Sequence, residues 1–141
     1  MTTSIKSGIV FGICALLMVF SVANGQGKEK KKAPSIVGNY TSVGHEGEEE
    51  YTGTAKITAH GDAFKVEFTS AEANDAGEKS VETGIGIFGG RTFSVCWVSD
   101  ADDSKGVAVF RLRKNNKTLA GRWTTLGGEG KLFTETLTKV E

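Results

Sequence analysis

The residues best suited to binding chemistry lie on the last predicted strand. Phe133, Glu135 and Leu137 alternate with threonines and so share one face of that strand. If Phe133 and Leu137 point inward, Glu135 is buried with them, and a buried carboxylate needs a partner. Arg91 is the first candidate partner and Lys139 the second. The alternative is that the threonines face inward and Glu135 is exposed. An inward Glu135 would belong to a structural ion pair or form the polar handle of a ligand cavity.

An acidic segment earlier in the chain has the residue types that Ca²⁺ prefers. Asp100, Asp102 and Asp103 would offer clustered carboxylate oxygens, although the spacing differs from the helix-flanked calcium loop and a lysine interrupts the segment. These three residues are weak candidate metal ligands, and no other cofactor is predicted. The two histidines cannot share a metal, because His45 and His60 lie at opposite ends of one strand, about 30 Å apart.

No catalytic signature is present in the sequence. Residues 84–89 spell G-x-G-x-x-G, but they lie in a predicted strand followed by another strand, so no helix N-terminus is placed to receive a phosphate. Serines and acids occur without a nucleophile elbow or metal-ligand spacing. The sequence therefore predicts a protein that is not an enzyme.

The first residues indicate the compartment. Lys6 precedes an apolar run of 16 residues, 8–23, which ends in the small-residue stretch Ala23-Asn24-Gly25. This layout predicts a signal peptide over residues 1–25. A permanent membrane anchor is the alternative, but the run is shorter than the roughly 20 residues needed to span a bilayer. We expect a secreted or periplasmic protein with no stable membrane insertion after cleavage.

Residues 26–35 contain four lysines and the only proline of the chain, which predicts a flexible basic tether. The 116 residues from 26 onward have a net charge of −1, which gives no overall bias toward nucleic acid. Cys96 is their only cysteine, so no internal disulfide can form, and we interpret it as an inert, half-buried thiol.

Period-two alternation predicts eight strands in one domain over residues 36–141, at 36–43, 50–60, 63–70, 80–89, 91–99, 106–114, 118–125 and 130–140. The fold class is all-β, an antiparallel up-and-down meander closing into a small barrel or β-clam. The residues expected to face inward include Phe64, Val66 and Phe68; Phe93, Val95 and Trp97; Val81, Thr83, Ile85 and Ile87; and Ala55, Ile57 and Ala59.

The connections alternate between tight and long, and in a meander alternate connections lie at opposite ends. The long ones are expected at residues 44–49, 71–79, 100–105 and 126–129. They and their neighbours contain eleven acids against Lys79 and Lys105: Glu46, Glu48, Glu49, Glu50, Glu72, Asp75, Glu78, Asp100, Asp102, Asp103 and Glu129. The tight-turn end has Arg91, Arg113, Lys114 and Lys117. The sequence thus predicts an acidic open end and a basic base.

The opening Val37-Gly38-Asn39-Tyr40 followed by an eight-strand meander resembles the calycin-type barrels, which include lipocalins, fatty-acid-binding proteins and avidins. Tyr40 stands where this family usually has a tryptophan, and Lys139 would be the basic residue that packs over it. The segments 93–97 and 119–124 also look similar to avidins. The resemblance implies small-ligand binding in the barrel mouth with Trp97 and Trp123 as wall residues. Alternatively, both tryptophans belong to the core.

The function that these features favour is a secreted, non-enzymatic binding module that takes a small or cationic ligand at the acidic open end. Trp97, Trp123, Glu135, Arg91 and Tyr40 are its candidate binding residues. The alternative is an extracellular surface or matrix protein that recognises a macromolecule through the same loops and has a filled interior.

Overall fold

Eight antiparallel strands form a closed barrel in the computed structural model, which describes residues 35–73 and 77–141. The strands are β1 (Gly38–Glu46), β2 (Glu49–His60), β3 (Ala63–Ala73), β4 (Lys79–Gly89), β5 (Thr92–Ser99), β6 (Lys105–Leu112), β7 (Thr118–Thr125) and β8 (Phe133–Lys139). Each strand pairs with its neighbours in sequence, and β8 returns to pair with β1. The predicted all-β meander is therefore confirmed, and it closes as a barrel.

The predicted signal peptide, and the predicted tether up to residue 34, lie outside the described residues. The chain divides into two units, Met1–Lys32 and Ala33–Glu141, and the barrel belongs to the second. Within residues 35–73 and 77–141, no helix has the length and apolar character needed to cross a membrane.

The interior toward the tight-turn end is filled by side chains. Phe93 and Phe110 are fully buried on neighbouring strands, with ring centroids 6.5 Å apart and ring planes nearly parallel. Ile36 lies below the strands, where its carbonyl oxygen accepts a hydrogen bond of 2.6 Å from the Tyr40 hydroxyl. Within the described part of the chain, the buried apolar side chains are Ile36, Tyr40, Ala55, Ile57, Val66, Phe68, Phe93, Val95, Trp97, Ala108, Phe110, Leu112, Leu119 and Leu137.

The inward face of β4 is the opposite of the one predicted. Ile85 and Ile87 are 53% and 71% exposed, whereas Gly84 and Gly86 are buried. A small barrel has limited interior volume, and the Phe93 ring together with the Val95 side chain occupies the space beneath these glycines. The prediction that the more hydrophobic face of β4 points inward is therefore wrong, because side chains of neighbouring strands fill the volume that the isoleucines would need.

We expect the Gly86→Val variant to be less stable than the wild type by about 1–3 kcal/mol. A Cβ at position 86 would lie 2.5 Å from the Ser94 carbonyl oxygen and 2.6 Å from Cε2 of Phe93, so the β4–β5 pair must shift. Urea denaturation followed by circular dichroism measures this difference.

Gly89→Val is the matched control, because a Cβ at position 89 at the end of the same strand meets no atom within 4 Å. We expect this variant to stay within about 0.5 kcal/mol of the wild type. Equal losses in both variants would contradict the packing explanation. They would indicate that replacing any glycine of this strand stiffens the backbone unfavourably, without a clash in the interior.

Three further expectations differ from the structure. The connection predicted as a loop over residues 44–49 is a tight hairpin, with Gly47 (φ +70°) and Glu48 between β1 and β2. Cys96, expected to be half-buried, is exposed. Ala59, expected to face inward, is also exposed. The connection between β1 and β2 still lies at the end that parity assigned to it.

Candidate functional site

Two adjoining cavities occupy the open end of the barrel, above the packed core. The outer cavity has a volume of about 260 Å³, and the inner one has a volume of about 60 Å³. Both are lined by the same five side chains, which come from five different strands: Tyr51, Phe68, Glu82, Trp123 and Glu135. We call this pair of cavities the mouth cavity. The five shared side chains combine aromatic walls with two carboxyl groups, a composition typical of sites that orient a small ligand.

Glu135 is the most buried charged residue of the described chain, with 9% of its surface exposed. It faces inward, so the structure decides between the two orientations that the sequence left open. Its Oε1 accepts a hydrogen bond of 2.5 Å from the Ser42 hydroxyl on β1. Burial is the main cause that raises the pKa of Glu135 to about 7; the hydrogen bond from Ser42 opposes this change, and the charge of Glu82 adds to it.

Glu82 is the second carboxyl group of the mouth cavity, and the sequence did not single it out. It is half-buried on β4. Burial raises its pKa, and the negative charges of Asp102 and Asp100 raise it further. Among the residues that the structure describes, no lysine, arginine or histidine forms a salt bridge with Glu82 or Glu135. The inner part of the mouth cavity therefore has two acids, and no described lysine, arginine or histidine lines either part.

The aromatic wall is organised around Trp123. Its Nε1 donates a hydrogen bond of 2.6 Å to the hydroxyl oxygen of Tyr51. Its ring contacts Trp97 edge-on at a centroid distance of 5.9 Å and Phe133 at 4.6 Å. Because the Tyr51 oxygen accepts this bond, its own proton remains for a ligand or water. Burial, followed by the charge of Glu135, raises the pKa of Tyr51, so the hydroxyl stays neutral.

The five predicted binding residues divide between the two ends of the barrel. Trp97, Trp123 and Glu135 line the mouth cavity. Tyr40 is buried in the core, and burial raises its pKa to about 12. Arg91 lies in a tight turn at the base with a positive φ of 72°. Three of the five predicted residues thus belong to the candidate site at the mouth. Tyr40 and Arg91 have structural roles instead.

The predicted ion pair between Arg91 and Glu135 is wrong. The Arg91 guanidinium donates to the Leu112 carbonyl at 3.2 Å, to the Asn116 side chain at 3.0 Å and to the Arg113 carbonyl, so it ties the base turns together. Lys139, the second candidate, pairs in register with Tyr40 and packs beside Gly38 at the same end. Glu135 lies nearer the other end of β8 and forms no salt bridge with either cation.

The predicted metal ligands serve the turn between β5 and β6. The Asp100 carboxylate accepts a hydrogen bond of 2.8 Å from the Val81 amide, and that of Asp102 accepts one of 3.0 Å from the Ser104 amide. The hydrogen bonds from Ser104 lower the pKa of Asp102. Asp103 occupies the left-handed position of the turn, with φ at 56°. Within the described residues, no group of three or more histidine, cysteine or acidic side chains could hold a metal ion.

The acidic residues of the rim surround the mouth as predicted by the alternation of connections. Glu46 and Glu72 line the outer cavity itself, and Glu129 lies in the connection to β8, where it pairs with Lys131 at 3.2 Å. Asp75 lies outside the described residues. A concave site surrounded by one sign of charge attracts ligands of the opposite sign.

A larger depression of about 740 Å³ lies along the outside of the barrel. Its lining includes Ile85, Cys96, Val98 and Val107, which form the outward face of β4, β5 and β6. No carboxylate contributes to this lining. Polar groups converge on the mouth cavity instead, which makes the mouth the better candidate for specific recognition.

Tyr51 and Glu82 were not among the site residues predicted from the sequence. Tyr51 shares the inward face of β2 with Ala55 and Ile57, and Glu82 shares that of β4 with the buried glycines. Correct assignment of the glycine face would have identified Glu82 as an inward residue.

Neither a protein-family model nor a curated protein matches this chain. The structural relationship therefore depends on topology alone: an eight-stranded antiparallel closed barrel, as calycin-type proteins have in general. The chemistry of the mouth cavity must be argued from its own residues.

Proposed function

We propose that the protein is an extracytoplasmic binding module of calycin type that takes a small ligand at the open end of its barrel. The observation that carries this proposal is the mouth cavity, where Trp97, Trp123 and Glu135 meet above an otherwise filled interior. Aromatic walls supply contact area, and a few polar groups supply orientation. The signal peptide predicted from the sequence and the resemblance to calycins agree with this role.

The volume of the cavity limits the size of the ligand. Liquid water occupies about 30 Å³ per molecule, so 260 Å³ corresponds to about nine water molecules. A compact molecule or a small headgroup fits this space, whereas a long lipid chain would need the space that Phe93 and Phe110 fill. We therefore propose a ligand smaller than those of typical lipid-carrying barrels.

A binding role is favoured over catalysis by the environment of Ser42. Ser42 is 4% exposed, and its hydroxyl donates to Glu135, which is a normal way to satisfy a buried carboxyl group. A serine nucleophile would also need an oriented base and donors for the developing oxyanion. The contact is better explained as support for the Glu135 side chain.

Native mass spectrometry of the protein purified from its own source tests the proposal. We expect a discrete additional mass that a chelator does not remove and that mild unfolding releases. Loss of the mass on chelation would support a metal ion at the acidic mouth instead. No additional mass in several preparations, together with no response from small-molecule libraries, would contradict the proposal and favour the alternative of a macromolecular partner at the loops.

Tryptophan fluorescence gives an independent readout, because the chain has two tryptophans and both line the inner cavity. We expect a ligand in the mouth to change the emission, and Trp123→Phe to reduce that change. Ligand binding without an emission change would place the ligand elsewhere on the protein.

A further inference from the structure

We propose that the ligand carries an ammonium group, which binds between Glu82 and Glu135 against the indole ring of Trp123. This inference rests on the proposed function and specifies the chemical class of the ligand. Its basis is the combination of two uncompensated carboxyl groups with an aromatic wall in one cavity.

The first step concerns positive charge, which the lining of the cavity lacks. A carboxylate removed from water is costly unless a cation or several hydrogen bonds compensate it. Glu135 has one hydrogen bond, from Ser42, and Glu82 has no salt-bridge partner among the described residues. Without a ligand, a proton is the available substitute, and the raised pKa of Glu135 agrees with this. A ligand cation would replace that proton.

The second step is the identity of the cation. Trp97, Trp123 and Tyr51 surround the same space, with Trp123 at centroid distances of 5.9 Å and 6.2 Å from the other two rings. Ammonium groups bind to aromatic faces, with tryptophan the best partner, and methylated ammonium is recognised in this way most often. Among the described residues, no group of three or more histidine, cysteine or acidic side chains could hold a metal ion. The walls therefore favour an organic cation over an inorganic one.

The third step concerns protons. The groups that face Glu135 from the surrounding strands are Ser42 on β1, Tyr51 on β2 and Glu82 on β4; β5, β6 and β7 present Trp97, Ala108 and Trp123, which carry no charge. Glu46 and Glu72 lie at the rim of the cavity. When an ammonium binds, protonated Glu135 releases its proton to solvent and becomes the counter-ion. With a pKa of about 7, the ionised fraction changes about tenfold between pH 8 and pH 6.

Matched pairs of charged and neutral probes test the inference: choline against 3,3-dimethyl-1-butanol, and benzylammonium against benzyl alcohol. Binding to the full chain is measured by tryptophan fluorescence and calorimetry at pH 8 and pH 6. We expect each cation to bind at least tenfold more tightly than its neutral partner at pH 8. We also expect this preference to fall by up to about tenfold at pH 6.

Variants assign the effect to the cavity. Glu135→Gln and Glu82→Gln should each weaken binding of the cations by about tenfold or more and leave the neutral probes unchanged. Glu67→Gln is the matched control, because this glutamate pairs with Lys65 on the outer surface at 3.3 Å and should not affect either class. Circular dichroism of each variant verifies that the barrel is folded.

The outcomes separate this inference from the proposed function. Equal affinity for charged and neutral probes would overturn the ammonium inference and leave a small-ligand site in place. Failure of every probe to bind would also overturn it, and the native mass measurement would then decide the proposed function independently. A native ligand without a cationic group would contradict the inference and support the proposed function.

Discussion

The Phe110→Ala variant is expected to lose about 3–5 kcal/mol of its free energy of unfolding, the range for removing a buried phenylalanine side chain. Phe110 is fully buried, and its ring stacks between those of Phe68 and Phe93, at centroid distances of 6.3 Å and 6.5 Å. The three rings come from β6, β3 and β5, so the change leaves a hole in the middle of the barrel. Small domains have about 5–15 kcal/mol in total, so roughly a fifth or more of the stability would be lost.

Urea denaturation, followed by circular dichroism and fluorescence together, measures this loss. Val109→Ala is the matched control: it removes an apolar side chain from the adjacent position, which faces outward and is 51% exposed, and should change stability by no more than about 0.5 kcal/mol. Phe110→Leu provides a second variant in case the alanine variant does not fold, with an expected loss of about 1–2 kcal/mol. Similar losses at positions 109 and 110 would show that the interior of the barrel does not carry the stability assigned to it.

The fold was predictable from the sequence because alternation was strong where one strand face is buried. On β5, Phe93, Val95 and Trp97 alternate with exposed residues, and the predicted orientation is confirmed. The connections at 61–62 and 90–91 are marked by glycines with positive φ, and their positions follow from turn chemistry. Once eight antiparallel strands with short connections are assigned, few topologies other than a meander remain.

The prediction errors occurred where the more hydrophobic residues are not the more buried ones. On β4, the hydrophobic face is the exposed one, because glycines admit the rings of neighbouring strands into the interior. Between β1 and β2, the acidic sequence suggested a loop, but His45 and Glu46 pair with Glu50 and Glu49 in a regular ladder. At the solvated end of a barrel both strand faces contact water, so charged residues do not interrupt a strand there.

The candidate site was predictable only in part, because its members are distant in sequence. Glu135 and the two tryptophans were identified from their strand faces, but a partner for Glu135 was sought among cations. A sequence provides no measure of which end of the barrel a residue reaches until register is known. The Arg91 guanidinium binds the turn between β6 and β7 at the base, and Ser42, a residue with no distinctive pattern, contacts Glu135 instead.

The Glu135→Gln variant is expected to be more stable than the wild type at pH 8, by up to about 3 kcal/mol. The pKa of Glu135 is raised from 4.5 to about 7 in the folded protein, so between these two pH values the folded state binds a proton that the unfolded state has released. Stability from this group is complete below pH 4.5 and decreases as the pH rises to about 7. A difference of about 2.5 pKa units corresponds to roughly 3 kcal/mol at 1.36 kcal/mol per unit.

Urea denaturation of both proteins at pH 4, 6 and 8 measures the effect, and the difference between them isolates this group from other carboxylates. We expect nearly equal stabilities at pH 4 and a gap that widens through pH 6 to its full size at pH 8. Glutamine keeps the shape of the side chain and can still accept the hydrogen bond from Ser42. Glu67→Gln, which changes an outward glutamate paired with Lys65, should show no comparable gap at any of the three values.

The sign of this gap bears on function, because a position selected for stability alone would favour glutamine at neutral pH. If Glu135 is retained to bind a ligand cation, saturating choline at pH 8 should restore stability to the wild type by RT ln(1 + [L]/Kd), about 2.7 kcal/mol at a hundredfold excess over Kd. The glutamine variant should gain far less. A wild type that is already the more stable protein at pH 8 would mean that Glu135 is compensated within the barrel, and the cost assigned to its burial would be wrong.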